Sequence, residues 1–485
     1  MRKILRKLFF LFLAAAAGTG LFFHFKPMEK GLSLEGEKHL VPAASIKFLS
    51  DETYLDGGEK RVAKQEIFAE VLKMIDGAEN YVLVDMFLFN DFAGKETEIR
   101  RELSEELSGA LADKKKENPT ASVVVITDPI NSAYGGPEPE HFKKMREAGV
   151  EVVITDLNKV RDGNPAYSSF YRLLSFIPWP DKPAKNRFPN PFDYDKPKVP
   201  LKSYLYLPNF KANHRKLIVA DKKVAGGYKM VSLITSANPH DASGYHGNSA
   251  LTVEDGVWKD IIKSETAVAK FSGKSISLPA EKISDASGEV EAQILTEEKV
   301  RKKLLDILAE TVAGDKVDMA MFYLADRKII KALLAASAKG AEIRLLLDPN
   351  KDAFGFKKNG VPNRPAAAEL IKKSKGKIKI RWCDTNGEQC HSKMVLVKNK
   401  NGYHLMLGSA NLTRRNIGDY NLETEALVKS DSLIPAVADA YDYFNRAWNN
   451  EGGKTYSADY DKYKNESSVS YFIYMAREIS GMSSF

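Results

Sequence analysis

Cysteine is nearly absent from this chain of 485 residues, which contains Cys383 and Cys390 and no others. Two cysteines exclude a disulfide scaffold and a four-cysteine zinc site. A large excess of one charge is also missing, because 72 lysines and arginines stand against 64 acidic residues for a net charge of +8. This small positive charge favours an anionic partner, phospholipid or nucleic acid, without identifying one. Hydrophobic residues at 44% and charged residues at 28% exclude a mainly disordered chain.

A long apolar run occurs at the N-terminus, behind a basic head. The first seven residues carry four positive charges, and apolar residues follow from Leu8 to Phe23. This pattern is typical of an export signal or a signal anchor. Ala15–Ala17 offers a cleavage site that would give a secreted protein, but the apolar Leu21–Phe23 beyond it favours an uncleaved anchor. Positive charge before the run places the rest of the chain outside the cytoplasm.

The remaining sequence contains one α/β pattern twice, with a period of roughly 200 residues, which is too long for a solenoid. A helical stretch leads into a buried-strand run at Tyr81–Phe89, and another leads into Val317–Tyr323. The two runs share the triplet Val-Asp-Met, which begins at Val84 and at Val317. Matched strands follow at Val123–Asn131 and Ile343–Asn350. Strands that alternate with helices predict a mostly parallel sheet covered on both faces.

The repeat predicts how the chain is divided. We expect a signal or anchor at 1–25, a polar linker at 26–65, a first half at 66–275 with an insert at 158–210, a linker at 276–299, a second half at 300–450, and a tail at 451–485.

Each half contains a polar motif of the same composition. The motifs are His214-x-Lys216 followed by Ser236-x-Asn238, and His391-x-Lys393 followed by Ser409-x-Asn411. On a strand, side chains two residues apart point to the same face, so each histidine shares a face with its lysine. If the halves pack with pseudo-two-fold symmetry, two imidazoles, two ammonium groups and two amides meet in one cleft.

Such a cleft suits a phosphodiester. Two lysines with the hydroxyl and amide groups of Ser236, Asn238, Ser409 and Asn411 would bind the phosphate oxygens and stabilise the charge of the transition state. One histidine can attack phosphorus to form a phosphohistidine, and the other can protonate the leaving oxygen. No carboxylate cluster with metal-ligand spacing accompanies the motifs, so the sequence requires neither a metal nor another cofactor.

These motifs resemble the duplicated signature of the phospholipase D superfamily over about Glu66 to Asn449. The resemblance implies two homologous α/β/α sandwich halves with pseudo-two-fold symmetry, an active site between them, and metal-independent cleavage through a phosphohistidine. It assigns His214 as nucleophile and His391 as general acid. It also implies supporting roles for Asp221, the aspartate of the first motif, and for Glu423, which would orient a histidine.

The second motif departs from the family pattern, because Lys398 replaces its aspartate. The halves also differ at the position of Glu423, which is Ala250 in the first half. A degenerate member that binds phosphate without catalysis therefore stays an alternative.

Two local features leave alternatives open. The insert 158–210 contains nine of the 21 prolines, which excludes a long helix or a central strand. Its aromatic and basic residues, including Trp179, fit a lid or a membrane-contacting loop, and equally a packed linker. Cys383 and Cys390 either form a disulfide beside His391 or remain free thiols.

We predict a phosphodiesterase or transphosphatidylase that acts on anionic or zwitterionic glycerophospholipids, similar to phospholipase D or cardiolipin synthase. Two halves in one chain predict a monomer. The alternative is an extracytoplasmic nuclease with the same chemistry, for which a basic groove and stacking aromatic residues would be required.

Overall fold

The computed structural model describes residues 1–57, 60–94, 101–175, 187–279, 287–353 and 356–483. The helices are α1 (Arg2–Phe25), α2 (Ile67–Gly77), α3 (Leu103–Glu117), α4 (Glu140–Glu147), α5 (Pro165–Ser175), α6 (Leu201–Tyr206), α7 (Trp258–Phe271), α8 (Glu298–Ala309), α9 (Arg327–Ala338), α10 (Asn363–Ser374), α11 (Pro435–Asn449) and α12 (Ser468–Ser480). The strands are β1 (His39–Val41), β2 (Ile46–Asp56), β3 (Lys60–Lys64), β4 (Tyr81–Met86), β5 (Ser122–Thr127), β6 (Glu151–Ile154), β7 (Lys216–Val224), β8 (Gly227–Thr235), β9 (Asn248–Glu254), β10 (Val290–Thr296), β11 (Lys316–Met321), β12 (Glu342–Leu347), β13 (Asp352–Ala353), β14 (Phe356–Lys357), β15 (Lys379–Cys383), β16 (Lys393–Asn399), β17 (Gly402–Gly408), β18 (Thr424–Ser430), β19 (Lys454–Thr455) and β20 (Ser457–Asp459).

Two large sheets have the same strand order. The first runs β19-β2-β9-β8-β7-β4-β5-β6, with β3 beside β2, and the second runs β1-β10-β18-β17-β16-β11-β12-β15-β20. In this order, the strands β2, β9, β8, β7, β4, β5 and β6 of the first sheet correspond to β10, β18, β17, β16, β11, β12 and β15 of the second. The predicted α/β fold of two homologous halves is therefore confirmed.

The sheets are mixed, which corrects the expectation of a mostly parallel arrangement. Strands β4, β5 and β6 are parallel, as are β11, β12 and β15, but the strands on the other side pair antiparallel. The reason lies in two tight turns, because β7 and β8 meet at Gly226, with φ at 88°, and β16 and β17 meet at Gly402, with φ at 101°. Short hairpins of this kind can join only antiparallel neighbours.

The segments expected as linkers and tail carry strands, so that expectation is corrected. Within 26–65, β1 joins the second sheet and β2 joins the first. Strand β10 of the 276–299 segment lies inside the second sheet, and β19 and β20 of the tail extend one sheet each. Strand β2 looked like a linker because it is polar, yet Asp51 accepts hydrogen bonds from the backbone N–H groups of Glu66 and Ile67, and Glu52 pairs with Arg446.

The two sheets share a central core. Along β7, Leu217 and Val219 face this shared core, whereas Ile218 and Ala220 face the helices α2 and α3. Along β16, Met394 lies in the same shared core, and the next residue, Val395, faces the helices of the second half. Side chains alternate between faces along a strand, so each sheet is buried on both sides. Helices α7 and α11 complete the shared core.

The insert 158–210 forms α5 and α6, while Trp179 and the rest of 176–186 lie outside the described residues. Helix α5 packs along α1, where the rings of Phe12 and Phe170 are 5.9 Å apart and the Arg172 guanidinium lies 3.5 Å from the centre of the Phe23 ring. Helix α1 has 24 residues and a mean hydropathy of 1.9 in its most apolar window, of which 11% is buried. It is long and apolar enough to be a membrane anchor or a signal.

Candidate active site

The two motif histidines lie just before the central strands β7 and β16, where the two halves meet. The backbone N–H of His214 donates to the carbonyl of Leu422 at 2.8 Å, and that of His391 donates to the carbonyl of Gly247 at 2.7 Å. Each histidine is therefore held by the backbone of the opposite half. The arrangement brings together the two motifs that lie 177 residues apart in the chain.

The imidazole rings are oriented by side chains that also come from the opposite half. The Nδ1 of His214 lies 3.0 Å from Glu423 Oε2, and the Nδ1 of His391 lies 3.2 Å from the amide oxygen of Asn248. An amide oxygen can only accept, so Nδ1 of His391 carries the hydrogen. In the same tautomer, the Nδ1 of His214 carries the hydrogen and directs it at Glu423. Both Nε2 atoms then carry a lone pair.

The two motif serines support these orienting groups. Ser409 Oγ donates to Glu423 at 2.5 Å, and Ser236 Oγ donates to Asn248 at 2.9 Å. Both serines are fully buried. Their hydroxyl groups are thus used to hold Glu423 and Asn248, a role that the sequence did not predict for them.

The two motif lysines have equivalent environments. Lys216 Nζ donates to the carbonyl of His214 at 2.6 Å, and Lys393 Nζ donates to that of His391 at 2.6 Å. Burial lowers the pKa of Lys216 to about 7 and lowers that of Lys393 well below its ordinary value. An anion that enters the site would restore both charges, because an opposite charge favours the protonated form.

A cavity of about 210 Å³ joins the two histidines. The motif asparagines Asn238 and Asn411 line it with His214 and His391. His240, His246 and Arg415 lie in the same wall. A cavity of this size, with imidazole and amide groups converging on it, can hold a phosphate group.

Electrostatics keep both histidines neutral in the empty site. Burial, followed by the charges of Lys216, Lys393 and Arg415, lowers the pKa of His214 well below its ordinary value. Burial, followed by Lys393 and His246, does the same for His391. Burial raises the pKa of Glu423 to about 8. A neutral imidazole is the form that can act as a nucleophile.

A family model matches most of the second half of the chain. Residues 305–448 match the family model described as "Cardiolipin synthase, PLD-like domain". Residues 305–448 are therefore similar to phospholipase D-like domains. The resemblance to the phospholipase D superfamily is therefore confirmed, and the equivalent strand orders extend the fold to the first half.

The same fold occurs in a solved structure. The chain is similar to phosphatidylserine synthase from Haemophilus influenzae Rd KW20, with 11% identity, a TM-score of 0.52, and coverage of 92% of this chain and 95% of that one. It also matches Nuc, a phospholipase D family member from Salmonella typhimurium, with 20% identity, a TM-score of 0.26, and coverage of 33% of this chain and 95% of that one. No curated protein matches the chain.

The two halves also share a pair of aromatic residues that the sequence comparison missed. Phe87 lies 4.7 Å from the His214 ring and Phe322 lies 4.9 Å from the His391 ring, measured between ring centres. They were missed because the shared Val-Asp-Met triplets are out of register by two residues. In the sheets Met86 pairs with Lys216 and Met321 pairs with Lys393, so the true equivalents are Met86-Phe87 and Met321-Phe322.

A second missed pair consists of the aspartates of the matched Asp-Pro dipeptides. Asp128 accepts a hydrogen bond from the backbone N–H of Asn213 at 2.7 Å, and Asp348 accepts one from Cys390 at 2.8 Å. Each aspartate fixes the residue that precedes a catalytic-site histidine. The signal was present in the sequence, because both dipeptides end a matched strand.

Asp221 lies at the far end of β7, about 16 Å along the strand from Lys216. Its carboxylate accepts hydrogen bonds from the backbone N–H groups of Asn80, at 3.0 Å, and Tyr81, at 2.8 Å. It therefore anchors the start of β4 and does not face the cavity. The equivalent Lys398 is exposed and lies 5.3 Å from the centre of the Tyr403 ring. Lys398 therefore replaces an aspartate at the end of β16 that is remote from His391.

Cys383 and Cys390 form a disulfide, so the alternative of two free thiols is wrong. The bond closes the loop that carries Gly387 and Gln389 to the cavity wall. Gln389 accepts a hydrogen bond from the backbone N–H of Gly247 at 2.9 Å, which adds a contact between the halves next to His391. Among the residues that the structure describes, no group of three or more His, Cys, Asp and Glu side chains is placed to hold a metal ion.

Proposed function

We propose that the chain is a phosphodiesterase or phosphatidyltransferase that acts on glycerophospholipids through a covalent phosphohistidine. The observation that carries the proposal is the meeting of the two motif histidines, both neutral, at one cavity between the halves. A buried lysine follows each histidine by two residues and donates to its backbone carbonyl. The finer assignment of donor lipid and acceptor rests on the further points below.

His214 is the proposed nucleophile. Its Nε2 lone pair attacks phosphorus, a P–N bond forms, and the bond from phosphorus to the alcohol oxygen breaks. The imidazole gains positive charge in this step. That charge lowers the pKa of the Glu423 carboxyl group beside Nδ1, and the carboxylate so formed stabilises it. Asn248 at His391 is an amide and offers no such stabilisation. The difference supports the assignment of the two roles.

His391 is the proposed general acid. The bound phosphodiester brings negative charge next to Lys216 and Lys393, and it raises the pKa of His391 from its low value in the empty site. The protonated Nε2 donates its proton to the leaving alcohol oxygen. In the second step the neutral His391 takes a proton from water or an acceptor alcohol, whose oxygen attacks phosphorus while the P–N bond breaks.

Lys216 and Lys393 neutralise the non-bridging oxygens of the phosphate, and Asn238 and Asn411 donate to them. Both asparagines lie in the cavity wall, where the N–H groups of their side-chain amides can reach a bound phosphate. Buried donors of this kind are worth more than donors in water, because they need no reorganisation as charge develops.

A lipid substrate is supported by the first-half wall of the cavity. Leu88, Ile130, Phe192 and Leu207 form this wall. Aromatic rings connect it to α5, since Tyr134 lies 4.7 Å from Tyr206 on α6, and Tyr206 lies 5.6 Å from Tyr171 on α5. An apolar wall fits the acyl chains of a diacylglycerol group better than the polar sugar and phosphate groups of a nucleotide.

Helix α1 and helix α5 support a membrane location. On α5, Ala166, Phe170 and Leu174 are exposed at intervals of four residues, which is one face of a helix. This apolar face continues the exposed surface of α1, which is fixed to the domain by His24, whose ring lies 5.0 Å from that of Tyr420. We propose that α1 anchors the chain, that α5 contacts the bilayer, and that the catalytic part lies outside the cytoplasm.

The test is product formation on mixed phosphatidylglycerol and phosphatidylethanolamine micelles, with glycerol as acceptor and a chelator present. Wild type, His214→Ala and His391→Ala are compared, with Lys331→Ala on the exposed face of α9 as a matched control. We expect phosphatidic acid or a transfer product from wild type and from the control alone. Degradation of single-stranded DNA without a lipid product would refute the lipid proposal in favour of a nuclease, and inactivity on both would favour a degenerate site.

A further inference from the structure

A basic groove of about 380 Å³ adjoins the catalytic cavity on the side of the second half. Its wall includes Lys357 on β14, Lys358, and Arg477 on α12, with Asp352 as an acidic residue of the same wall. Burial, followed by the charge of Arg477, lowers the pKa of Lys358, so two like charges face each other across the groove. Within the described residues, Lys357 and Arg477 make no ion pair shorter than 4.0 Å.

Arg415 connects this basic groove to the catalytic cavity. Phe210 and Tyr323 line both spaces. Arg415 lines the cavity, and its guanidinium donates to the carbonyl of Ser483, which lines the groove. Its Nε is buried and has no hydrogen-bond partner in the described structure. A buried donor without a partner is costly, and an anionic ligand between cavity and groove would supply one.

The two walls of the cavity therefore differ in chemistry. The first half contributes an apolar wall of Leu88, Ile130 and Phe192 next to the polar His240 and His246, whereas the second half leads through Arg415 into the basic groove. In a phosphatidyl transfer, the diacylglycerol part stays with the phosphorus, and the alcohol part leaves. The apolar wall fits the part that stays, so the basic groove lies where the alcohol part is bound.

We propose that the basic groove binds an anionic group, phosphate or carboxylate, on the alcohol part of the substrate. This inference rests on the proposed function, and it deepens that function by naming the class of alcohol. The incoming acceptor attacks along the reverse of the path by which the first alcohol leaves, so both occupy the same place. The groove therefore selects anionic alcohols both as leaving groups and as acceptors.

The experiment compares three acceptors of matched size, which are glycerol, glycerate and glycerol 3-phosphate, with one phospholipid donor. For wild type we expect kcat/KM to be at least about ten-fold higher for an anionic acceptor than for glycerol, since a charged hydrogen bond supplies such a factor. The glycerate and glycerol 3-phosphate arms distinguish a carboxylate from a phosphate as the preferred group.

The decisive measurement is the ratio of anionic to neutral kcat/KM in each variant, because a general loss of activity cancels in this ratio. Lys357→Ala with Arg477→Ala is expected to reduce the ratio about ten-fold, and Arg477→Lys alone is expected to retain most of it. Lys331→Ala, an exposed lysine on α9, is the matched control that leaves the ratio unchanged. An equal ratio in wild type and the double variant would overturn the inference.

Direct binding separates this inference from the proposed function. If wild type transfers nothing to any acceptor, the proposed function fails, and calorimetric titration with glycerol 3-phosphate then decides the groove. Binding that is weakened about ten-fold by Lys357→Ala with Arg477→Ala supports an anion site. Equal binding by wild type and the double variant, or no binding to either, contradicts it.

Discussion

The two halves have the same strand order and the same His-x-Lys motif, yet the histidines have different partners. His214 faces the carboxyl group of Glu423, whereas His391 faces the amide of Asn248. Both partners come from the opposite half, so neither half contains a complete site. The comparison teaches that a duplicated fold supplies two equal imidazoles, and that a single exchange, carboxyl for amide, can give them unequal roles.

The largest expected effect comes from His214→Ala. We expect a loss of at least about 10³-fold in kcat, because nucleophile and general acid act as a unit. A substrate with an activated leaving group such as p-nitrophenol sharpens the comparison, since it needs no general acid. It should restore formation of the phosphohistidine in His391→Ala, as measured by mass spectrometry, and should not restore it in His214→Ala. Rescue in His214→Ala and not in His391→Ala would show that the roles are reversed.

The next effect is expected for Glu423→Gln, which makes the partner of His214 resemble that of His391. We expect a loss of about 10²-fold in kcat, because the positive charge on His214 loses its carboxylate. Burial raises the pKa of Glu423 to about 8 from an ordinary value of 4.5. The contribution of protonated Glu423 to the stability of the folded protein is therefore complete below about pH 4.5. It is lost as the pH rises through about 8.

Thermal unfolding tests the sign of this pH dependence. As the pH rises from 5 to 9, the melting temperature of Glu423→Gln is expected to increase relative to that of wild type. A parallel pH profile for the two proteins would mean that Glu423 is ionised throughout. Asn248→Asp is the matched change at the other histidine.

A smaller effect concerns the pH dependence of kcat/KM, which reports groups of the free enzyme. Burial lowers the pKa of Lys216 to about 7, so its positive charge is present below this pH and is lost above it. We expect kcat/KM to fall above about pH 7 while kcat stays level over a wider range, because bound phosphate keeps the lysine protonated. Lys216→Arg keeps its charge at all these pH values, so any residual activity should lack the alkaline decrease.

The smallest effect on activity is expected at the far ends of β7 and β16. Lys398→Asp restores the family residue and should change kcat/KM by less than about two-fold, since the site is remote. Asp221→Asn should instead lower the free energy of unfolding by about 1–3 kcal/mol, because buried N–H groups at the start of β4 lose a charged acceptor. Denaturant unfolding and lipid turnover, measured in parallel, separate the two effects.

The sequence predicted the motifs of the site better than it predicted their surroundings. The sequence indicates His214, Lys216, His391 and Lys393 because the His-x-Lys motif occurs twice and is followed by Ser-x-Asn in both halves. The roles of Ser236 and Ser409 differ from the prediction, because spacing along a strand shows which face a side chain occupies and does not show its partner.

Register and sheet edges were harder to predict. Asp85 and Asp318 stand in identical triplets, but Asp85 bonds to the side chain of Asn213 and Asp318 pairs with Arg344. A strong local identity thus outweighed the true register, which depends on pairing with β7 and β16. The polar sequence of β2 predicts a linker, because the groups that pair with its acidic side chains, at the start of α2 and at Arg446, lie elsewhere in the sequence. The basic groove joins β14, α12 and Arg415, so no local pattern could indicate it.

The exchange of edge strands has a consequence for how the molecule is made. Strand β1 belongs to the second sheet although it is synthesised before the first, and β19 closes the first sheet although it follows the second half. A ribosome therefore releases the first half with an incomplete border, and the border is completed only when residues 454–455 arrive. Cutting the gene between the halves would produce two fragments, each of which carries a strand that the other needs.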